Sequence, residues 1–329
     1  MKAIEILILT SILMATPSST HGQAQTQGAQ ATQTAPAQHI SFGREIKRTV
    51  GLLTVTFKQD GVLMESRGTC FFVFYPDERV GKNRGFAYLV TNRHVAVPGT
   101  EDGHPYTALS TTIRLNLTNS SGSAEEPVPL GEHLQWHFPA DDSVDLAVLP
   151  VAPQAEKVDA EPFPVSLFVS PADIDNYNIS EGDPVIFTGF FYQFPGFTKF
   201  EPIVREGVIA MMPDESMETT MHKAGKLYLA DVHVFGGNSG SPLWVNVGGI
   251  RNNSLGASQY KLLGIISGFY HEDSDLTLTI ATTYHGTLEQ NSGIAMVVPV
   301  EFLKALLDSP ELQSLRDVIV ANPSLPSRP

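Results

Sequence analysis

The stretch Val234-Phe-Gly-Gly-Asn-Ser-Gly-Ser-Pro242 sets the hydroxyl of Ser239 among three glycines. A serine hydroxyl is a poor nucleophile until a base takes its proton. That base is usually a histidine, itself oriented by a buried carboxylate. Acyl transfer also needs backbone N–H groups aimed at the developing oxyanion. Glycines beside the serine permit the backbone shape and close approach this requires. Of ten histidines, His94 in Tyr88-Leu-Val-Thr-Asn-Arg-His94-Val is the one that follows an apolar, strand-like run. The matching acid is Asp145, which leads straight into Leu-Ala-Val-Leu149. A carboxylate there is costly unless paired, and a histidine partner offsets the cost. Asp141 and Asp142 compete for the role but belong to a polar loop.

Strand ends must hold these residues. Runs rich in β-branched and aromatic residues, each bounded by Gly, Pro, Asn or Asp, occupy 49–58, 68–75, 85–91, 111–117, 133–138 and 145–151. After a proline-bearing stretch, a second series covers 184–191, 203–211, 226–234, 242–247, 261–269, 276–282 and 293–298. Many short strands with little helical period predict an all-β chain of two six-stranded antiparallel β-barrels. The first barrel is expected at 41–155 and the second at 156–300. Phe302, Leu303, Leu306, Leu307, Leu312 and Leu315 fall at helical spacing, so a C-terminal helix and tail are expected over 301–329, interrupted near Pro310.

The three motifs together resemble trypsin/chymotrypsin-fold serine peptidases. Thr91-Asn-Arg-His94-Val, Asp145-Leu-Ala-Val-Leu149 and Gly237-Asn-Ser239-Gly-Ser-Pro242 stand in that family's order. Gly68-Thr-Cys-Phe-Phe-Val73 is similar to an early barrel strand, and Gly264-Ile-Ile-Ser-Gly-Phe269 to the strand that pairs with substrate backbone. The Gly-Asn-Ser-Gly-Ser-Pro form looks most like the bacterial branch that includes glutamyl endopeptidases. The resemblance implies a Ser239 nucleophile, a His94 base and an Asp145 that fixes the histidine tautomer. It places the oxyanion hole at the backbone of Gly237 and Ser239. It lines the specificity pocket with His233, Val234 and Phe235 on one side and Ile266, Ser267 and Gly268 on the other. No carboxylate stands at His233, so Arg or Lys preference is not implied. His233 suits either an acidic side chain or a neutral wall, and Phe235 would narrow the space. Asn238 replaces the aspartate that precedes the serine in animal digestive members, so activation through a salt bridge to a freed N-terminus is not expected. Cys70 takes a usual glycine place, which implies a packing adjustment.

The remaining features bound the function. A net charge of −14 disfavours nucleic acid and anionic membrane surfaces; protein or peptide substrates are the expected partners. The single cysteine rules out an intramolecular disulfide, and beside Phe71, Phe72 and Val73 it reads as a small buried hydrophobe. Residues 1–22 read as a signal peptide, with one basic residue and a short apolar run, and 23–40 as a Gln/Ala/Thr linker. A secreted or periplasmic protein without a membrane span in its mature chain is expected. His133-Leu-Gln-Trp-His137 sits in a strand-like run, so its histidines are not assigned to zinc, and the acidic loops near Asp141, Asp173 and Glu272 read as solvated. No cofactor and no metal are implied. Two alternatives stay open: a catalytically silent binding module of the same fold, and an ester hydrolase. The latter lacks the strand–turn–helix elbow of the usual esterase scaffold.

Overall fold

The computed structural model describes residues 8–10, 42–131, 134–251, 254–256, 259–279 and 283–322, with backbone alone at 8–10, 250–251, 254–256, 273–279 and 283–289. The expected signal peptide and linker lie outside the described residues, apart from Ile8–Thr10, whose backbone pairs with Arg84–Phe86. His133 also lies outside them.

The first unit holds β1 (Val50–Gln59), β2 (Val62–Pro76), β3 (Arg84–Thr91), β4 (Ala108–Asn116), β5 (Ser123–Pro127) and β6 (Ala147–Leu149). Their order is β6-β3-β2-β1-β4-β5, all antiparallel, and Phe163–Pro164 adds a short parallel pairing on β2. The second unit is a closed six-stranded barrel of β7 (Pro184–Gly189), β8 (Ile203–Met211), β9 (Tyr228–Asp231), β10 (Pro242–Asn246), β11 (Tyr260–Thr279) and β12 (Thr283–Pro299). The all-β expectation stands, and the closed barrel is the second of the two expected units.

Alternation along β2 explains how the units join. Successive side chains of a strand face opposite ways. Cys70 and Phe72 therefore enter a small core with Leu53, Val55, Leu89 and Val95. Phe71 and Val73 enter the larger core, which continues through Phe163 and Trp244 into the second barrel. Phe163 stacks on Phe71 at 5.5 Å between ring centroids and meets Trp244 edge-on at 4.6 Å. Cys70 has no solvent exposure, and burial pushes its thiol pKa far up, so it behaves as a packing residue.

Beyond β12 the chain forms α4 (Val300–Leu307) and α5 (Pro310–Ala321), following the shorter α1 (Phe42–Lys47), α2 (Arg93–Ala96) and α3 (Pro171–Tyr177). The break falls at Ser309, whose hydroxyl caps α5, with Pro310 at its first helical position. Val300, Leu303, Leu306 and Leu307 bury the apolar stripe of α4. Helix α5 reaches back to the first unit: Arg316, 4% exposed, donates to the Tyr88 hydroxyl at 2.8 Å, and Glu311 meets the His137 ring at 2.8 Å.

The expected strand at 133–138 is not continuous; Leu134 and His137 make isolated bridges instead. The expected strands at 261–269 and 293–298, and residues 276–279 of the one expected at 276–282, lie on β11 and β12, whose pairing runs to Thr279↔Thr283; residues 280–282 lie outside the described residues.

Candidate active site

Strand register brings the acid to the histidine. Thr91 of β3 pairs with Ala147 of β6. Asp145 lies two residues before Ala147 and His94 three after Thr91, so both loops leave the same end of the pair. The Asn92 side chain fastens them, donating through Nδ2 to the Asp145 carbonyl at 2.7 Å. Asp145 is 1% exposed, and its carboxylate accepts three hydrogen bonds. The His94 backbone N–H reaches Oδ1 at 3.1 Å, His94 Nδ1 reaches Oδ2 at 2.6 Å, and the Thr220 hydroxyl reaches Oδ2 at 2.7 Å.

Ser239 sits on a loop that the first unit grips. Thr69 of β2 donates its backbone N–H to the Ser239 carbonyl at 2.8 Å and its hydroxyl to the Gly237 carbonyl at 2.9 Å. Asn238 closes the turn from inside, donating to the Phe190 carbonyl at 2.6 Å and accepting from the Phe235 N–H at 2.8 Å. The Asn238 amide thus ties the loop down without a charge. Gly68 is the meeting point of the two lips. A Cβ there would lie 2.7 Å from the Val95 side chain and 3.1 Å from the Ser239 carbonyl. The Ser239 hydroxyl donates to the Ser267 carbonyl at a long 3.3 Å. Among the described residues, no acceptor takes the N–H of Gly237 or Ser239.

Gly237 has φ of +94°, and a Cβ would come within 2.5 Å of the Phe190 ring. We expect Gly237→Ala to lose about 1–3 kcal/mol of stability through backbone strain. Its activity should fall roughly a hundredfold through displaced N–H groups. Urea unfolding and kcat/KM on the same preparation check both.

The electrostatics follow from burial and pairing. Burial opposes the charge of Asp145, but the His94 charge and hydrogen bond, with help from Thr220, hold its pKa below the ordinary carboxylate value. Burial likewise opposes protonation of His94. The Asp145 charge and hydrogen bond, with Glu101 acting through space, outweigh it and raise the imidazole pKa. A histidine that serves as a base works only when neutral, so with His94 in that role kcat/KM is expected to fall as pH drops through this raised value. The acid limb is expected above the ordinary imidazole midpoint, and a pH–rate profile measures it.

The expected pocket residues divide. Val234, Ile266 and Ser267 are at most 1% exposed, so their side chains face no open space, and Ser267 meets the site through its carbonyl. His233 is exposed beside Gly293, and Phe235 is half-buried with the Arg205 guanidinium 4.9 Å above its ring. Asp141 instead shapes the acid loop, accepting from the Ser143 N–H and hydroxyl, and Asp142 pairs with Lys223. Sequence reasoning assigned no role to Asn92, Thr69, Phe190, Arg205 or Thr220. Asn92 and Thr69 lay inside quoted motifs, whereas the other three sit in segments without a motif.

A family model described as a trypsin-like peptidase domain matches residues 68–249, a span that holds His94, Asp145 and Ser239. No curated protein matches the sequence. Similar solved structures include the active form of the Rv3671c protease from M. tuberculosis, at 17% identity over 80% of this chain and 81% of that one, TM-score 0.43. Deg5 is 13% identical over 81% of this chain and 94% of its own, TM-score 0.42. The HtrA-type protease AlgW with decapeptide is 16% identical over 84% and 68%, TM-score 0.44.

Proposed function

The chain belongs to the trypsin-like peptidase family, and from that premise we propose that it is an endopeptidase working through Ser239, His94 and Asp145. The observation that carries this reading is the 2.6 Å contact between His94 Nδ1 and the buried Asp145 carboxylate. It fixes the tautomer. Nδ1–H is donated to Asp145, which leaves Nε2 as the acceptor for a serine proton.

In this reading the Ser239 hydroxyl turns from the Ser267 carbonyl to His94 Nε2. Its oxygen attacks the scissile carbonyl carbon as the proton passes to the imidazole. The Gly237 and Ser239 N–H groups stabilise the oxyanion. His94 then gives the proton to the leaving amine, the C–N bond breaks, and an acyl-Ser239 remains. Water, deprotonated by His94, hydrolyses the ester and restores the serine.

For specificity, the Arg205 guanidinium over Phe235 puts a cation near the pocket expected from the sequence, and the exposed His233 adds an imidazole there. This supports a preference for acidic side chains before the scissile bond, in keeping with the glutamyl-endopeptidase resemblance. For location, the apolar run near the N-terminus supports export. No helix among the described residues is long and apolar enough to cross a membrane.

The test is digestion of a diverse peptide library, read by mass spectrometry, beside Ser239→Ala. Internal cleavage after Asp or Glu by the wild type alone is expected. Cleavage after other residues would overturn the pocket assignment. An intact library would favour the binding module, and ester turnover without peptide cleavage would favour the ester hydrolase.

A further inference from the structure

Thr220 stands 75 residues beyond Asp145 in sequence, yet its hydroxyl donates to Asp145 Oδ2 at 2.7 Å. It belongs to a small hairpin, Met217–Glu218 paired with Ala224–Gly225, between β8 and β9. Three contacts seat that hairpin on the acid loop of the first unit. Lys223 pairs with Asp142. Gly225 fits so closely that a Cβ would lie 2.5 Å from the Ser143 hydroxyl. Thr220 itself supplies the third. The turn at its tip is shaped by His222, with φ of +53°, and by the Thr219 N–H donating to the Lys223 carbonyl at 2.9 Å.

The same threonine also touches the other side of the site. A Cβ on Gly268 would come within 2.8 Å of the Thr220 methyl. Gly268 follows Ser267, the residue whose carbonyl holds the Ser239 hydroxyl. One side chain therefore spans the acid and the strand beside the nucleophile, with its hydroxyl on the first and its methyl against the second.

Resting on the reading of Ser239, His94 and Asp145 as the reacting set, we propose that Thr220 is a positioning residue, and that the Met217–Gly225 hairpin is the latch by which the second barrel sets the Asp145 carboxylate against His94. A carboxylate in a site this buried needs its lone pairs satisfied. His94 occupies one side of Oδ2, and Thr220 locks the remaining freedom of the carboxylate plane. Without the hydroxyl, Asp145 loses a donor that stabilises its charge. More of its charge then falls on the His94 imidazolium, which raises the imidazole pKa, while the carboxylate plane is free to turn, which slows the reaction. The charged groups acting on His94 are Asp145 and Glu101, and Thr220 changes neither charge.

The test is fluorophosphonate labelling of the full chain across pH, for wild type, Thr220→Val and Thr220→Ser. Valine keeps the shape and removes the donor, while serine keeps the donor. We expect Thr220→Val to lower the maximal labelling rate about tenfold, the size of one hydrogen bond to a charged group. Half-saturation should stay unchanged, and the acid limb should move to higher pH. Thr220→Ser should restore both rate and midpoint. Thr220→Val labelling at the wild-type rate with the wild-type midpoint would overturn the proposal, as would a defect that Thr220→Ser shares in full. A wild type that does not label would overturn the underlying reading along with it.

Discussion

Replacing His94 with alanine is expected to lower kcat/KM by roughly a millionfold, the scale on which nucleophile and base act as a unit. The variant should still fold. Asp145 keeps the His94 backbone N–H and the Thr220 hydroxyl as donors, and the Asn92 link to its carbonyl does not involve the ring. Circular dichroism unchanged beside lost hydrolysis of a cleavable peptide is the predicted pair of results. Retention of more than about one part in a hundred of the activity would contradict a role as general base.

Asp145→Asn is expected to cost about ten-thousand-fold in kcat. The substitution is nearly isosteric, so the loop should survive. What changes is the partner of His94 Nδ1. A carboxylate at 2.6 Å can only accept, and so dictates Nδ1–H and a free Nε2 lone pair. An amide can present its N–H₂ instead, and the Thr220 hydroxyl favours that flip little, because a hydroxyl donates or accepts with equal ease. The wrong tautomer points a proton at Ser239. The acid limb should move down, since the charge that raises the imidazole pKa is gone. A loss below tenfold, with the limb in its wild-type place, would show that Asp145 does not orient the base.

Much of this site was legible because its parts sit where strands end. An apolar run breaking at Thr91 and another beginning at Leu146 mark the mouths of a paired β3 and β6, and His94 and Asp145 are the imidazole and the carboxylate at those mouths. The Ser239 turn announced itself by glycines, and Gly237 and Gly240 do adopt positive φ. Thr220 was not legible because its role is a hydrogen bond between units, and Phe190 because it acts through its backbone carbonyl and the fit of its ring to Gly237; neither leaves a periodic or motif signature. Thr69 was hidden differently: it lay in a quoted strand, but only the folded loop shows that its hydroxyl grips Gly237. Helix α3 could have been found. Ser170-Pro-Ala-Asp173 is a capping sequence with proline at the first position, and both reciprocal bonds form. At seven residues it is too short for an apolar period to mark it among strands. The long β11–β12 hairpin was cut into pieces because register shifts at Ile266/Gly268 and Phe269/His271 interrupt its alternation.

The central claim is that Ser239 is an activated nucleophile, although its hydroxyl rests against the Ser267 carbonyl. The most direct measurement is fluorophosphonate labelling of the purified chain with the modified residue located by mass spectrometry. The account predicts one phosphonyl group, on Ser239, absent from His94→Ala. A folded wild type that stays unlabelled, or a label on another serine, would contradict it.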